Sequence, residues 1–499
     1  MRILLVRPAV PKHTIGLKHI MICEPLELEY VAAGLKGHEV QVMDLILEKG
    51  LARRLRQFKP DVVGTSAYIS GVNEAIKVCR EAKRWNPHCH TVVGGVQAAR
   101  VPEDFSDNCV DVIVRGDGTT AMPKVIEALE AGADLRLVPG VAIPRADAEI
   151  FHGPDAPYMP KADELPLPDR SVVKHLRHRY YYLTHRPVAT MKTTWGCWYT
   201  CNFCYTWRIT DGTPHSRSAE SIVEELRTLE ASEVYIVDDI FLINPRRLAA
   251  IAEGIRREGI RKSYLVYARA DFIAANEPII AEWATLGLKA VFIGLEASTD
   301  DELTQMNKES SVDQNLEAIR VLHRHGVDVY GSLIPHPDYT LKDWERLRDF
   351  IRRSGLYYVN ISPFVPFPGT REWDKYKDRL TVPRRAHGLW DLSHAVVATK
   401  LPLREYYRQL LITYATVIFD LPRARRVTQR TLPSLWSLNY LRVLWGAAQI
   451  GVQFVMAHRH HSARQLEIAM DRGPAVDLPF AYERLCAPHD VQDAMACAS

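Results

Sequence analysis

Three cysteines in one short stretch carry the clearest chemistry in this sequence. Cys197, Cys201 and Cys204 lie four and three residues apart within Lys192–Trp207, among aromatic residues. Iron–sulfur clusters are held by cysteine thiolates, and a four-iron cluster normally uses four of them. Three thiolates would leave one iron open to bind and activate another molecule. The spacing therefore predicts an iron–sulfur cluster with an open iron.

Two other roles fit these cysteines less well. Structural zinc takes four ligands, and the next histidine, His215, has no partner at zinc-finger spacing. A disulfide framework needs a higher density of cysteines than 9 in 499 residues. The run Val188–Thr194 directly before the cysteines is apolar and β-branched, which predicts a buried strand. The cysteine loop is thus expected at the carboxyl end of a strand, where α/β folds place their chemistry.

Length and composition predict a cytoplasmic protein of two or three domains. The 499 residues are 47% apolar and 25% charged, an ordinary globular balance. A net charge of +3 gives no basic field, so we expect no nucleic-acid partner. The start, Met1–Arg7, is too short and too quickly charged for a signal peptide. No apolar run is long enough to predict a transmembrane helix.

Residues 1–145 alternate apolar strands with helical patterns, which predicts a doubly wound, Rossmann-like parallel sheet. The predicted strands are Ile3–Val6, Val40–Met43, Asp61–Gly64, Thr91–Gly95 and Asp111–Val114. Such sheets bind ligands at the carboxyl ends of their strands, although any one of these loops alone could be a plain tight turn. The candidate residues of three such loops are Thr65, Ser66, Ala67, Gly94, Gly95, Val96, Gln97, Gly116, Asp117 and Gly118.

Residues 146–187 are rich in proline, which predicts an extended connector or a lid. From Val188 the alternation resumes and gives six βα units up to about residue 374. Six units fall short of the eight that close a barrel, so we expect an open, partial (β/α)6 barrel. Its later strands are predicted at Val234–Val237, Tyr264–Tyr267, Ala290–Ile293, Val327–Tyr330 and Tyr357–Ile361. The clearest helix is predicted to start near Ser221, where Glu224 completes a capping box.

Polar or turn-forming residues follow four of these strands. One such residue alone is more often a helix cap, and Arg269 could form a structural ion pair with Asp271. Four in register around the cysteine loop are harder to explain as helix caps and indicate a binding site at this edge. The candidate residues are Asp238, Asp239, Arg269, Glu296, Ile334 and Pro335.

The pattern C-x-x-x-C-x-x-C in a strand-to-helix loop resembles the signature of the radical S-adenosylmethionine (radical SAM) enzymes. In that family SAM binds the open iron of a 4Fe-4S cluster, and an electron from a flavodoxin or ferredoxin releases a 5′-deoxyadenosyl radical. The resemblance implies that Asp238 or Asp239 holds the amino group of SAM and Arg269 its carboxylate. It further implies that Glu296 holds the ribose, with Ile334 and Pro335 against the adenine.

The first 145 residues resemble the cobalamin-binding domain that precedes the barrel in many radical SAM enzymes. The resemblance rests on the sequence around Gly94–Val96 and Gly116–Gly118 and on the stretch Leu165–Arg170. An Asp-x-His-x-x-Gly motif is absent from the sequence. The resemblance therefore implies cobalamin in its base-off form, with no protein histidine on cobalt.

Residues 375–499 are predicted to be helical. A basic run at Arg423–Arg430 precedes the apolar stretch Leu435–Ala457, which ends in His458–His461. This pattern favours a helix buried on the barrel with a solvated charged face. The alternative is a surface for peripheral contact with the inner face of the membrane or for an apolar substrate. The last twenty residues are expected to be a loose tail.

The resemblance implies a methylase that transfers a methyl group from SAM, through cobalamin, to an unactivated carbon. Several stretches are similar to the hopanoid C-3 methylases: Gly16–His19, Glu24–Tyr30, Tyr235–Asp239 and Tyr267–Phe272. An oxidative cyclase acting on a porphyrin shares both domains and remains open. A non-catalytic regulator that binds cobalamin or zinc is the alternative from another class. A methylthiotransferase would need a second cysteine cluster, which the scattered remaining cysteines do not provide.

Overall fold

The computed structural model describes residues 1–146, 149–156, 161–418 and 438–485. The chain forms two compact units, the first from residues 1–12, 25–175 and 470–499 and the second from residues 13–24 and 176–469. The predicted α/β class is confirmed. The units are not contiguous in sequence, in contrast to the predicted boundaries at residues 145, 187 and 374.

The strands are short and apolar, as their sequences predict. In chain order the strands of the described residues are β1 Arg2–Arg7, β2 Met21–Ile22, β3 Glu39–Asp44, β4 Val62–Ser66, β5 His90–Gly94, β6 Val112–Val114, β7 Val141–Pro144, β8 Ile150–His152, β9 Tyr181–Tyr182, β10 Val188–Met191, β11 Thr194–Trp195, β12 His215–Ser216, β13 Glu233–Ile236, β14 Ser263–Ala268, β15 Leu288–Glu296, β16 Asp328–Leu333 and β17 Tyr358–Ile361.

The helices lie between the strands in both units and then dominate after residue 370. In chain order the α-helices of the described residues are α1 Leu17–Ile20, α2 Leu26–Gly34, α3 Leu51–Phe58, α4 Val72–Trp85, α5 Val96–Arg100, α6 Gly118–Ala131, α7 Thr206–Ile209, α8 Ala219–Thr228, α9 Pro245–Arg257, α10 Ala270–Ala275, α11 Glu277–Leu286, α12 Asp300–Gln305, α13 Val312–Arg324, α14 Leu341–Ser354, α15 Arg371–Tyr376, α16 Leu403–Ile418, α17 Leu438–Ala457, α18 Ala463–Met470 and α19 Ala481–Leu485.

The first unit is built on a seven-stranded sheet in the order β3-β1-β4-β5-β6-β7-β8. The five predicted strands are confirmed and pair in parallel, whereas β7 and β8 add an antiparallel hairpin at one edge. The predicted connector, residues 146–187, contains two short strands, β8 and β9. Pro144 ends β7 without breaking it, because proline is tolerated at the end of a strand near a sheet edge.

The chain returns to the first unit after residue 470 and is anchored there by charged side chains. The guanidinium of Arg484 donates a hydrogen bond to the carboxylate of Asp111 at 2.7 Å. The same carboxylate accepts a hydrogen bond from the ammonium of the buried Lys83 at 2.5 Å. The side-chain amide of Asn108 donates to the carbonyl groups of Val476 and Leu478. The tail prediction was therefore wrong for residues 480–485, while residues 486–499 lie outside the described part.

We expect Arg484→Ala to lower the stability of the first unit. The variant leaves Asp111, which is fully buried, with Lys83 as its remaining charged partner. Removing one hydrogen bond to a buried charge costs about 1.5–3 kcal/mol. Urea unfolding of the full-length chain checks this, and Arg464→Ala, at an exposed position on α18, is the matched control. Equal midpoints for the two variants would contradict the anchoring role.

The second unit contains a six-stranded parallel sheet in the order β10-β13-β14-β15-β16-β17, which confirms the partial barrel. Its last strand, β17, would expose backbone groups at the open edge. The phenol of Tyr414 on α16 accepts from the amide of Ile361 at 3.0 Å and donates to the carbonyl group of the same residue at 3.2 Å. Helix α16 thus covers an edge that would otherwise be free to pair with another strand.

The start of one helix in the second unit differs from the sequence-based expectation. Helix α8 begins at Ala219, because Ser218 and not Ser221 accepts the capping hydrogen bond, from the amide of Ser221 at 3.2 Å. The predicted apolar helix is described from Leu438, whereas Arg423–Arg430 and Leu435–Ser437 lie outside the described residues. None of the described helices is long and apolar enough to cross a bilayer.

A buried polar cluster joins three distant segments of the second unit. His394 is fully buried; its Nδ1 lies 3.0 Å from a carboxylate oxygen of Asp391 and its Nε2 lies 2.8 Å from Nδ1 of His460. Asp391 also accepts from the amide of Ile15 at 2.8 Å. Burial, reinforced by neighbouring histidines, lowers the pKa of both His460 and His461 to about 4.

We expect this cluster to make the second unit less stable as the pH falls from about 6.5 towards 4. In that window the unfolded chain binds protons at His460 and His461 that the folded chain excludes. The free energy of unfolding therefore decreases with acidification. Melting temperatures at pH 7 and pH 5 check this, because His460→Gln/His461→Gln should show a smaller drop than the unmodified chain. The same drop in both would contradict the role of these two groups.

Candidate active site

The three cysteines lie on a loop between β11 and α7. Cys201 is buried, and Cys197 and Cys204 are half-buried. The loop needs glycine at its start, because Gly196 has a φ of +84° and a Cβ there would lie 2.0 Å from Oγ1 of Thr210. A cluster of four irons binds each thiolate through a separate iron, so the three thiols need not meet at one point.

Burial disfavours the thiolate form of all three cysteines. It raises the pKa of Cys197 to about 11 and also raises the pKa values of Cys201 and Cys204. The positive charges of Lys308 and Arg269 lower the pKa of Cys201 and so partly oppose the effect of burial. Because a metal-bound thiol is deprotonated, binding of iron by this loop would release protons, and nearby cations would favour the thiolates.

The segment Gln305–Glu309, which we call the clasp, lies directly on the cysteine loop. The amide of Asn202 donates to the carbonyl group of Met306 at 2.9 Å, and its side chain donates to that of Gln305 at 2.8 Å. Asn307 donates to the carbonyl group of Thr200 at 3.0 Å. Asn307 and Glu309 both have positive φ angles, of 51° and 53°. The clasp thus holds the cysteine loop through one backbone–backbone hydrogen bond and two that the side chains of Asn202 and Asn307 donate.

Arg269 connects the clasp to the end of β14. Its guanidinium pairs with Asp271 at 3.1 Å, donates to the carbonyl groups of Lys308 and Glu309 and lies 3.6 Å from the ring centre of Tyr199. Its Nη1 atom lies 3.9 Å from Sγ of Cys201. The ion pair with Asp271, which the sequence left open, is therefore present. Binding of the SAM carboxylate by Arg269 stays a prediction.

The sequence-based reasoning missed Lys308, whose ammonium donates to the Glu296 carboxylate at 2.8 Å. Both side chains are buried, and Glu296 has an unusual φ of +61°. Burial lowers the pKa of Lys308, because it disfavours the charged ammonium. The attraction of the nearby Glu296 carboxylate is larger than this effect, so the pKa of Lys308 lies above its ordinary value. A Cβ at Gly294 would lie 2.1 Å from Oε1 of Glu296. Lys308 follows a helix, so a search of strand ends alone could not find it.

Asp238 and Asp239 are adjacent at the end of β13 but have different partners. Asp238 is buried and accepts from the amides of Thr193 and Thr194 at 2.6 and 3.0 Å. Burial raises the pKa of Asp238, against the effect of Lys192. Asp239 accepts from the amide of Gly196 at 2.8 Å and from Lys192 at 3.2 Å. Asp239 is thus the more accessible acid beside the cysteine loop, and Asp238 holds the backbone that leads into it.

The carboxyl end of β16 carries the apolar pair that was predicted to contact adenine. The amide of Ile334 donates to the carbonyl group of Glu296 at 2.8 Å, and the phenol of Tyr406 donates to the carbonyl group of Pro335 at 3.0 Å. The hydroxyl of Ser298 is buried and has no hydrogen-bond partner within the described structure. An unpaired buried hydroxyl beside a carboxylate and an apolar platform fits a polar ligand at this edge.

In the first unit, two of the three predicted loops lie side by side. The amide of Ala67 donates to the carbonyl group of Gly94 at 3.2 Å, and a Cβ at Gly95 would lie 2.7 Å from the Ser66 hydroxyl. The buried Thr65 hydroxyl has no hydrogen-bond partner among the described residues. Close backbone approach together with an unpaired hydroxyl fits a ligand at these strand ends.

The other predicted residues of the first unit have local roles. Asp117 caps α6 by accepting from the amides of Thr119 and Thr120 at 3.0 and 3.2 Å. The Gln97 side chain donates to Asp104 at 2.6 Å. Val96 begins α5, while Gly116 and Gly118 flank the cap. Contacts of these residues with a cofactor stay a prediction.

Comparison with known proteins gives matches along most of the chain. Residues 13–126 match the B12 binding domain, and residues 191–351 match the Radical SAM superfamily. The hopanoid C-3 methylase of Methylococcus capsulatus is 33% identical over 459 residues, which cover 89% of this chain and 86% of that enzyme. The anaerobic magnesium-protoporphyrin IX monomethyl ester cyclase of Rubrivivax gelatinosus is 25% identical over 399 residues, covering 77% and 71%.

The fold is also similar to that of a solved structure. The radical S-adenosylmethionine methyltransferase TsrM from Kitasatospora setae, determined with cobalamin and a [4Fe-4S] cluster, has a TM-score of 0.60 and 16% sequence identity. The similarity covers 76% of this chain and 75% of that one. At this identity the likeness concerns the fold.

Proposed function

This chain belongs to the cobalamin-binding radical SAM enzymes and is a C-methyltransferase, and we propose that it methylates C-3 of a hopanoid lipid. Its cofactors are a 4Fe-4S cluster, SAM and cobalamin. The observation that carries the proposed substrate is the extent of the match to the hopanoid C-3 methylase. The match covers 89% of the chain, so only about a tenth of the residues are unmatched. The stretch after residue 351, where the radical SAM family match ends, is longer than that. The match to the hopanoid C-3 methylase therefore continues into the C-terminal helices.

Cys197, Cys201 and Cys204 would hold the cluster, since their loop is fixed by Gly196 and by the clasp. Reduced by one electron and with SAM bound, such a cluster would split SAM into methionine and a 5′-deoxyadenosyl radical that removes a hydrogen atom from an unactivated carbon. The protein's own part is to hold SAM in one orientation and to exclude water from the radical.

We assign the SAM contacts from charge and accessibility. Asp239 is the acid that remains accessible for the amino group, because Asp238 is occupied by two backbone amides. Lys308 presents an ammonium beside the thiols and Glu296. Of the Arg269 donors, Nε and Nη2 bind Asp271 and two carbonyl groups, and only Nη1 lies towards Cys201, at 3.9 Å from its Sγ. Lys308 is therefore the better candidate for the SAM carboxylate, with Arg269 as the competing one. Glu296 and Ser298 would hold the ribose, and Ile334 and Pro335 the adenine.

For cobalamin we propose contacts from Thr65–Ala67 and Gly94–Gln97 at the strand ends of the first unit, with Gly116–Gly118 at the neighbouring strand. The cofactor would bind base-off. A one-electron donor of the flavodoxin or ferredoxin class would reduce the cluster. A hopanoid resides in a bilayer, so peripheral contact with the inner face of the membrane belongs to the proposal.

The test is an anaerobic assay of the purified, reconstituted enzyme with SAM, a reductant and a hopanoid that lacks a C-3 methyl group. We expect 5′-deoxyadenosine together with the 3-methylated hopanoid, identified by mass spectrometry. Magnesium protoporphyrin IX monomethyl ester serves as the competing substrate, because cyclases of that ester are among the relatives. Formation of a cyclised porphyrin with no methylated hopanoid would overturn the proposed substrate.

A further inference from the structure

One face of helix α17 packs against other parts of the second unit, to which the helix itself belongs. A Cβ at Gly446 would lie 2.5 Å from the carbonyl oxygen of His19, so the helix approaches α1 closely. Gln453 accepts from the amide of Gly16 at 3.0 Å. Phe454 is buried, with its ring 5.9 Å from that of Tyr414. This inner face is therefore occupied by the protein itself.

The opposite face of α17 is apolar and exposed. We define the α17 stripe as Trp445, Ala448, Val452 and Val455, which are spaced by three, four and three residues and so share one side of a helix. Trp445 is 68% exposed, Val452 62% and Val455 56%, and Ala448 is also exposed. A contiguous row of exposed apolar side chains marks an interaction surface.

The sequence around the stripe is cationic. Between Leu421 and Leu466 it contains seven arginines and neither Asp nor Glu. One of these, Arg459, lies just beyond the end of α17 and is exposed. A tryptophan and valines on one face of a helix with neighbouring arginines match an anionic bilayer, whose headgroups attract the cations and whose acyl region accepts the apolar side chains.

We propose that the α17 stripe lies in the headgroup region of an anionic lipid bilayer and docks the enzyme on it. The helix lies on the bilayer and does not cross it, because its inner face is packed against the second unit. A second copy of the chain fits this face less well. Symmetric pairing would bring two copies of the exposed Arg459, just beyond the end of α17, towards each other. The bilayer is therefore the occupant that the charges favour.

The inference rests on the proposed lipid substrate for its biological purpose. An enzyme docked by α17 would take an apolar substrate from the bilayer without carrying it through water. Vesicle binding and methylation are separate measurements, so either proposal can fail without the other.

The experiment is co-sedimentation of the full-length protein with vesicles of phosphatidylcholine alone or of an equimolar mixture with phosphatidylglycerol. We expect binding to the mixed vesicles that weakens with added salt. Val452→Glu/Val455→Glu should bind at least about tenfold more weakly, because charged side chains replace apolar ones in the interface. Trp445→Ala should weaken binding without a change of charge. Leu341→Glu, at a 53% exposed apolar position at the start of α14, is the matched control.

Melting temperature and iron content establish that each variant is folded. A double variant that binds vesicles as tightly as the unmodified chain would overturn the proposal, as would a chain that binds neither kind of vesicle. Light scattering tests whether a second copy of the chain covers the stripe instead. A dimer that dissociates in the double variant, while vesicle binding is unchanged, would assign the stripe to that second copy. Vesicle binding without methylation of an embedded hopanoid would leave the docking surface intact and remove the proposed substrate.

Discussion

Replacement of Cys201 by alanine is expected to abolish cleavage of SAM. The variant leaves two thiols in the loop, and two thiolates do not hold a four-iron cluster with a single open iron. Cys201 is also the buried member of the set and the one beside Arg269 and Lys308, so its loss removes the thiolate that these cations stabilise. The measurement is 5′-deoxyadenosine formation after anaerobic reconstitution, with iron and sulfide quantified on the same sample.

Two comparisons separate this effect from general damage. Cys23→Ala changes a half-buried cysteine of the same unit outside the loop and should retain both iron and activity. Cobalamin content should be unchanged in Cys201→Ala, because the predicted cobalamin residues belong to the first unit. Retained cleavage of SAM in Cys201→Ala would remove the assignment of these cysteines to the cluster.

Replacement of Lys308 by methionine is expected to weaken SAM binding by about 2–3 kcal/mol, the usual value of a hydrogen bond between buried charged groups. Methionine keeps the length of the side chain and removes its charge, so Glu296 loses its ion-pair partner and the SAM carboxylate loses its proposed one. Isothermal titration of the reconstituted enzyme with SAM measures the change. Lys289→Met, at an exposed position on β15, is the matched control.

Arg269→Ala distinguishes the two candidate cations. We expect it to lower the iron content, because Arg269 links Asp271 to the carbonyl groups of the clasp. If Arg269→Ala retains iron and loses SAM affinity, while Lys308→Met binds SAM normally, then the carboxylate belongs to Arg269 as the sequence predicted. Loss of iron in Arg269→Ala together with weak SAM binding in Lys308→Met supports the assignment made from the structure.

The parallel strands could be predicted because their sequences are locally decisive. Runs such as Ile3–Val6 and Ala290–Ile293 are short, apolar and β-branched, and each precedes a helical pattern. The hairpin of β7 and β8 was not predictable in the same way, since prolines surround it and its stability comes from pairing with β6. The hydrogen bond between Arg484 and Asp111 joins residues 373 positions apart, so it cannot be predicted from a local sequence pattern.

The position of the site could be predicted from the sequence, but the hydrogen-bond partners of its side chains could not. Each strand end was identified from the order of strands and loops, because parallel strands place their carboxyl ends at one edge. Which of Asp238 and Asp239 faces the cysteine loop depends on the twist at the end of β13, and a shift of one residue reverses it. Lys308 reaches Glu296 through the folded clasp, whose positive φ angles at Asn307 and Glu309 have no simple sequence signature.

The return of the chain to the first unit has a consequence for biosynthesis. A ribosome adds about 5–20 residues per second, so roughly 15 to 60 s separate the emergence of residue 175 from that of residue 470. Throughout that interval Asp111 lacks Arg484. The second unit, whose last residue is 469, has all its segments before the first unit does. The unit that contains most of the first 175 residues is thus completed last, and a message truncated near its end would yield a complete second unit and an incomplete first unit.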